Sequence, residues 1–153
     1  MKACNENECF ELCEQLLLRL LTEGLDKLGE AKEGETILKT LNAAMLRLLD
    51  NCQTTHVYCS LYNLLRKYKD ILTLPKLPGL VIKCLLKLAK HIDKMALEMD
   101  FGRILIAIHE YLLVIDHENK TPNDDMGIRI TKTVISEWVK IKRQKIWEDY
   151  KVV

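Results

Sequence analysis

The chain has 153 residues, of which 48% are apolar and 29% charged, with a net charge of +1. That length predicts one domain, large enough to bury roughly 68–70% of its unfolded surface. The apolar content excludes a disordered tail, the near-neutral charge argues against nucleic-acid binding, and scarce Gly, Pro and β-branched alternation favour an all-α fold.

The first helix is expected over about Asn7 to Glu23, where Phe10, Cys13, Leu17, Leu20 and Leu21 recur at helical steps. Gly24 is a natural stop, and Leu25–Gly34 reads as an acidic loop or broken short helix. A second helix over Thr36–Asp50 carries an apolar stripe from Ile37 to Leu49. A third follows within a few residues, with Thr54 or Thr55 as N-cap and Val57, Leu61, Leu64, Leu65 and Tyr68 as its stripe. So short a link predicts an antiparallel hairpin. After Pro75, Pro78 is placed to open a fourth helix that is apolar nearly all round, as in a repeat interior. Asp100 is placed to cap a fifth helix carrying Phe101, Ile104, Leu105, Ile108, Leu112 and Ile115. Residues Asp116–Asp125, with Pro122 among them, read as a loop, and Asn123 or Asp124 caps a sixth helix with Ile128, Thr131, Val134, Ile135, Trp138 and Val139 as its stripe. Lys142–Lys145 reads as a turn before a short seventh helix from Ile146 to Tyr150.

Helix pairs therefore start near Thr36, Leu77 and Asn123, at intervals of 41 and 46 residues. Those intervals fall within the roughly 40–47-residue period of HEAT and armadillo repeats. The expected architecture is a HEAT-like solenoid of about three antiparallel helix pairs. Residues 1–153 make one helical-repeat domain, with 1–35 as N-terminal helix and acidic loop and 36–153 as the stacked pairs. Such stacks usually present surfaces to other proteins.

Charge is unevenly spread. Residues 1–35 hold nine acids and four bases, net −5; residues 126–153 hold seven bases and three acids, net +4. An acidic end and a basic end suggest different partners, or ordinary solvated helix faces. The N-terminal stretch lacks the apolar core of a signal peptide, and no apolar run reaches a membrane span. The six cysteines include no CxxC pair, so reduced, mostly buried thiols in the cytoplasm are expected.

Catalytic and metal signals are weak. Cys52, His56 and Cys59 share a helical face but nominate no fourth ligand for a closed zinc site. Cys9 and Cys13, one turn apart, suit packing better than a disulfide. His109–Glu110 begins an HExxH motif, but Leu113 stands where its second His belongs; His109 is expected to be partly buried. Asp124–Asp125 lacks the rest of a calcium loop, and no phosphate loop, dinucleotide-binding glycine pattern or nucleophile elbow occurs. The expectation is a non-enzyme with no cofactor or metal.

The last segment is the candidate partner-binding site: Lys140, Lys142, Arg143, Lys145, Trp147 and Tyr150. Trp and Tyr dominate binding hot spots, and Trp147 and Tyr150 share a helix face. The competing reading has this helix cap the core, with Ile146 and Trp147 inward.

The blocks Leu80-Val-Ile-Lys-Cys-Leu85, Asp100-Phe-Gly-Arg-Ile-Leu105, Ile108-His109, Gly127-Ile-Arg-Ile-Thr-Lys-Thr133 and Lys145-Ile146 resemble the C-terminal domain of the ch-TOG / Mini spindles microtubule polymerases. The resemblance covers roughly residues 36–150. It implies a small TOG-like helical domain that docks a TACC-type coiled-coil adaptor, placing the polymerase at centrosomes and the mitotic spindle. The polymerase activity would then belong to a longer protein. An alternative is direct tubulin or microtubule-lattice binding. A tubulin-binding TOG surface resembles a row of intra-repeat turns with an exposed Trp in the first and bases in the following ones. Here the first turn, Asn51-Cys-Gln-Thr54, has neither, whereas Lys94 falls in the second and Lys142 and Arg143 in the third. The second alternative is a generic helical scaffold with no microtubule role. Neither membrane nor nucleic acid is an expected partner.

Overall fold

A computed structural model describes residues 4–25, 33–71, 76–95 and 98–151. All regular structure among these residues is helical: α1 (Glu6–Leu25), α2 (Glu33–Asn51), α3 (Thr54–Tyr68), α4 (Leu77–Lys90), the single turn α5 (Ile92–Met95), α6 (Phe101–Leu113) and α7 (Pro122–Lys151). Most of the expected loop at Leu25–Gly34, together with Pro75, lies outside the described residues.

The six long helices form two rows, the HEAT-like arrangement expected. In the first row α1, α3 and α6 run parallel. Lys67 near the end of α3 meets Glu14 of α1 at 2.7 Å, while Glu6 at the start of α1 pairs with Arg103 at the start of α6, beside Cys59 of α3. On the other flank, the Thr55 hydroxyl accepts from the Asp100 backbone at 2.9 Å, and Arg66 meets Glu110 at 2.6 Å. These matches keep both strands of contact in one direction. In the second row α2 packs on α1, α4 on α3, and α7 on α4. The backbone N–H of Cys4 bonds the Asn51 carbonyl, so the start of α1 lies beside the end of α2 and the two run antiparallel. Phe101 and Tyr111 of α6 lie level with Trp138 and Gly127 of α7, which makes that pair antiparallel too.

Helix α3 is the centre. Its residues Val57, Tyr58, Leu61, Tyr62 and Leu64 are fully buried, each apolar side chain contributing roughly 1.5–3 kcal/mol by leaving water. The α1 stripe (Cys9, Cys13, Leu17, Leu20, Leu21) joins the same core, so α1 is an integral member of the stack. The acidic end is partly neutralised within the fold, because Glu6 pairs with Arg103 and Glu14 with Lys67.

Local signals explain the helix starts. Asn5 and Glu8 of α1 exchange side-chain and backbone hydrogen bonds, a capping box. The Asp100 carboxylate accepts from the Arg103 N–H, the cap expected for that helix. Other starts differ from expectation. Gln53, not Thr54 or Thr55, is the N-cap of α3, and α4 begins one residue ahead of Pro78. Helix α7 is capped by Thr121: its hydroxyl accepts from Asp124 N–H, and the Asp124 carboxylate accepts from Thr121 N–H. Pro122 therefore opens the helix, at the position where a missing N–H costs least.

The larger difference is at the C-terminal end. Lys142–Lys145 is not a turn; α7 continues unbroken for 30 residues. The expected second helix of the third pair does not exist separately. Lys, Arg and Gln are good helix formers, and the segment contains neither Gly nor Pro. The three pairs are accordingly α1/α2, α3/α4 and α6/α7, a frame shifted by one helix from the expected one. His109, expected to be partly buried, is exposed on α6.

Burial also sets an alkaline limit. Burial pushes the Cys59 thiol up to about 11, and the Cys84 thiol and Tyr111 hydroxyl up to about 12; Tyr58 and Tyr62 are raised for the same reason. In the unfolded chain thiols release protons near 8.5 and tyrosines near 10. The folded state keeps these protons longer, so their contribution is complete below about pH 8.5 and is lost as pH rises through 12. The urea midpoint is expected to hold between pH 7 and 8 and to fall steadily from pH 9 to 11. A flat profile over that range would show these groups to be solvated.

Candidate partner-binding face

Helix α7 has two opposite faces. Gly127, Ile130, Thr131, Val134, Trp138 and Ile141 follow one another at helical spacing and face the body. A buried relay fixes this face. Thr131 donates its hydroxyl hydrogen to the Gly127 carbonyl at 2.7 Å, so the 2.8 Å contact with Tyr62 has the tyrosine as donor. Further along, Trp138 stacks on Phe101, with centroids 4.1 Å apart and planes 7° from parallel. The Trp138 Nε1 is buried without a hydrogen-bond partner, so the ring is held by stacking.

The outward face carries Arg129, Lys132, Ser136, Lys140, Arg143 and Trp147 at steps of three and four, all exposed. Four of these six residues are cations. Lys140 has a 3.2 Å pair with Glu137 on its own helix, an exposed contact of little energetic weight. Trp147 is 60% exposed despite its size. Phe101, the first residue of α6, lies level with Trp138, so residues 142–151 extend the helix by about 15 Å beyond that turn.

The structure thus divides the expected site. Lys140, Arg143 and Trp147 share the outer face. Lys142 and Lys145 continue the inner line of Trp138, and the Lys142 ammonium sits 5.5 Å from the Trp138 ring centroid. All five are exposed, which rules out an inward Trp147. The side chains of Ile146 and Tyr150 lie outside the described residues. Arg129 and Lys132 complete the stripe and were missed; their three- and four-residue spacing with Lys140 and Arg143 was the available signal, hidden by the turn assigned at Lys142–Lys145.

Other candidate chemistry resolves into packing. Cys9, Cys13, Cys52, Cys59 and Cys84 are buried free thiols, and Cys4 is half-buried. The hydrogen bond between Cys13 and Cys9 favours the Cys9 thiolate and holds the Cys13 proton in place. Among the described residues no three His, Cys, Asp or Glu side chains are grouped to hold a metal ion, and no helix is long and apolar enough to cross a membrane. The turn between α2 and α3 exposes Gln53 and Asn51 and buries Cys52; the side chain of Lys94 lies outside the described residues, and Lys142 and Arg143 belong to α7, so they line no turn.

Comparison with known proteins gives a consistent set of relatives. MOR1 of Oryza sativa subsp. japonica and MOR1 of Arabidopsis thaliana are each 34% identical over 155 residues, covering 92% of the chain. Mini spindles of Drosophila melanogaster is 25% identical over 141 residues, covering 90% of it. The chain spans only 7–8% of the length of these curated relatives. No protein-family model and no solved structure matches it.

Proposed function

Taking the chain as a domain of the family of MOR1 and Mini spindles, to which it is homologous over about nine-tenths of its length, we propose that it is a non-catalytic docking domain of a microtubule polymerase. Its partner is a TACC-type coiled coil, and its role is to recruit the polymerase to the cytoskeleton, at centrosomes and the mitotic spindle. The observation that carries this reading is the outer face of α7, a stripe of cations ending in an exposed tryptophan. A coiled coil offers apolar grooves flanked by charged positions. Trp147 fills such a groove, while Arg129, Lys132, Lys140 and Arg143 meet acidic flanks and speed encounter.

Direct tubulin binding is the second reading. It draws on the family and on the basic character of α7. It is weakened by the turns: a row of basic inter-helix turns loses its third member once Lys142 and Arg143 lie within a continuous helix.

The test is a salt series. Affinity for a TACC-type coiled coil should fall steadily as salt rises, because exposed charges are screened beyond about 8 Å at physiological ionic strength. The double variant Arg129→Glu with Arg143→Glu should weaken binding at least tenfold and flatten the salt response. Equal affinity at low and high salt would remove the cationic stripe from the mechanism.

A further inference from the structure

A second surface lies between α2 and α4. Helix α4 packs on α1 as well as α3, while α2 stands off from it, leaving a groove of about 500 Å³. That volume is within the roughly 300–1,000 Å³ range of specific ligand sites. Its floor is formed by buried Met45 and Leu88, with half-buried Leu49 beside them. Leu46, 63% exposed, forms the α2 rim; Lys87 and Lys90 form the α4 rim. One turn earlier Lys83 is also exposed, and α4 contains no acidic residue. Among the described residues no carboxylate lines the groove.

From this geometry we infer that the groove is a docking site for one amphipathic α-helix with acidic flanks, contributed by another protein. Three features select that occupant. The walls are two helices, so the slot between them accepts a third helix laid along it. The floor is apolar and includes a methionine, which adapts its shape to different apolar anchors. The α4 rim is cationic, so carboxylates beside the anchors are attracted and ammonium groups repelled. This surface is on α2 and α4, separate from the α7 stripe, and does not depend on the coiled-coil reading.

The probe is a designed 18-residue helical peptide with leucines along one face and glutamates flanking them. Controls replace either the leucines with alanine or the glutamates with lysine. Backbone amide signals are followed by NMR during titration. The expected result is shifts centred on Met45, Leu46, Leu49, Lys87 and Leu88, with binding at least tenfold tighter for the glutamate peptide than for the lysine peptide. Leu46→Glu should abolish those shifts while leaving the spectrum of the free protein dispersed, since Leu46 is a rim residue. Lys87→Glu provides a second variant that leaves the floor intact, and it should reverse the preference between the peptides. Absence of saturable shifts, shifts centred elsewhere, equal affinity for both charge types, or binding of anionic phosphatidylserine vesicles without peptide binding would each overturn the inference.

Discussion

Replacing Gly127 with alanine lowers the stability of the domain by about 1–3 kcal/mol, the range for overpacking a filled core. In an exposed helix the same change would stabilise by roughly 0.5–1 kcal/mol. The sign reverses here because a β-carbon at Gly127 would collide with the Tyr111 hydroxyl oxygen, and would lie 3.1 Å from its Cζ. Tyr111 cannot yield easily: it is buried and its ring lies 5.8 Å from that of Tyr62. Gly79 in α4 is the internal control, since a β-carbon there meets nothing within 4 Å. Gly79→Ala should raise the melting temperature by about 1–4 °C. Combining Gly127→Ala with Tyr111→Phe removes the nearest colliding atom and should recover part of the loss, which a double-mutant cycle in urea measures directly. If Gly127→Ala melts at or above the parent temperature, the seating of the Tyr111 ring against Gly127 is wrong.

The two tryptophans are expected to separate stability from binding. Trp138→Ala removes the stack on Phe101 that seats the middle of α7, and should cost about 3 kcal/mol, the low end for tryptophan truncation because the residue is only half-buried. For a chain of this size that is a melting decrease of about 6–12 °C. Trp147→Ala, at a 60% exposed position, should change stability by no more than about 0.5 kcal/mol. Combined with Tyr150→Ala, it should nevertheless abolish binding of the coiled coil. Calorimetric melting and a binding titration on the same samples make the comparison. A large loss of stability in the Trp147 and Tyr150 double variant would contradict the exposed position of Trp147.

Local patterns made most helices legible. The stripes of α2, α3 and α6 are dense, and Asp100 has the chemistry and position of a cap, so these elements can be read from spacing alone. The same logic failed at α7. A run of Lys, Arg and Gln is polar, and polarity resembles a turn, yet none of these residues breaks a helix. Pro122 similarly looked like loop material, although Pro is well suited to a first helical turn. Trp147 was legible as a surface residue only in outline, because its exposure depends on α7 continuing unbroken past Lys142–Lys145. Arg129 and Lys132 joined it only once that continuity was known. What no local pattern contains is the cross-helix register: the parallel alignment of α3 with α6, the Tyr62–Thr131–Gly127 relay and the open seam between α2 and α4 all join residues far apart in sequence.

The proposed function requires that α7 present its cationic outer face to a coiled-coil adaptor. The most direct measurement titrates the domain separately with a two-stranded TACC-type coiled coil and with tubulin dimers, by calorimetry at physiological salt. Saturable binding to the coiled coil, lost on replacing Arg129 and Arg143 with glutamate, is the predicted result. Binding to tubulin with no binding to the coiled coil would contradict it.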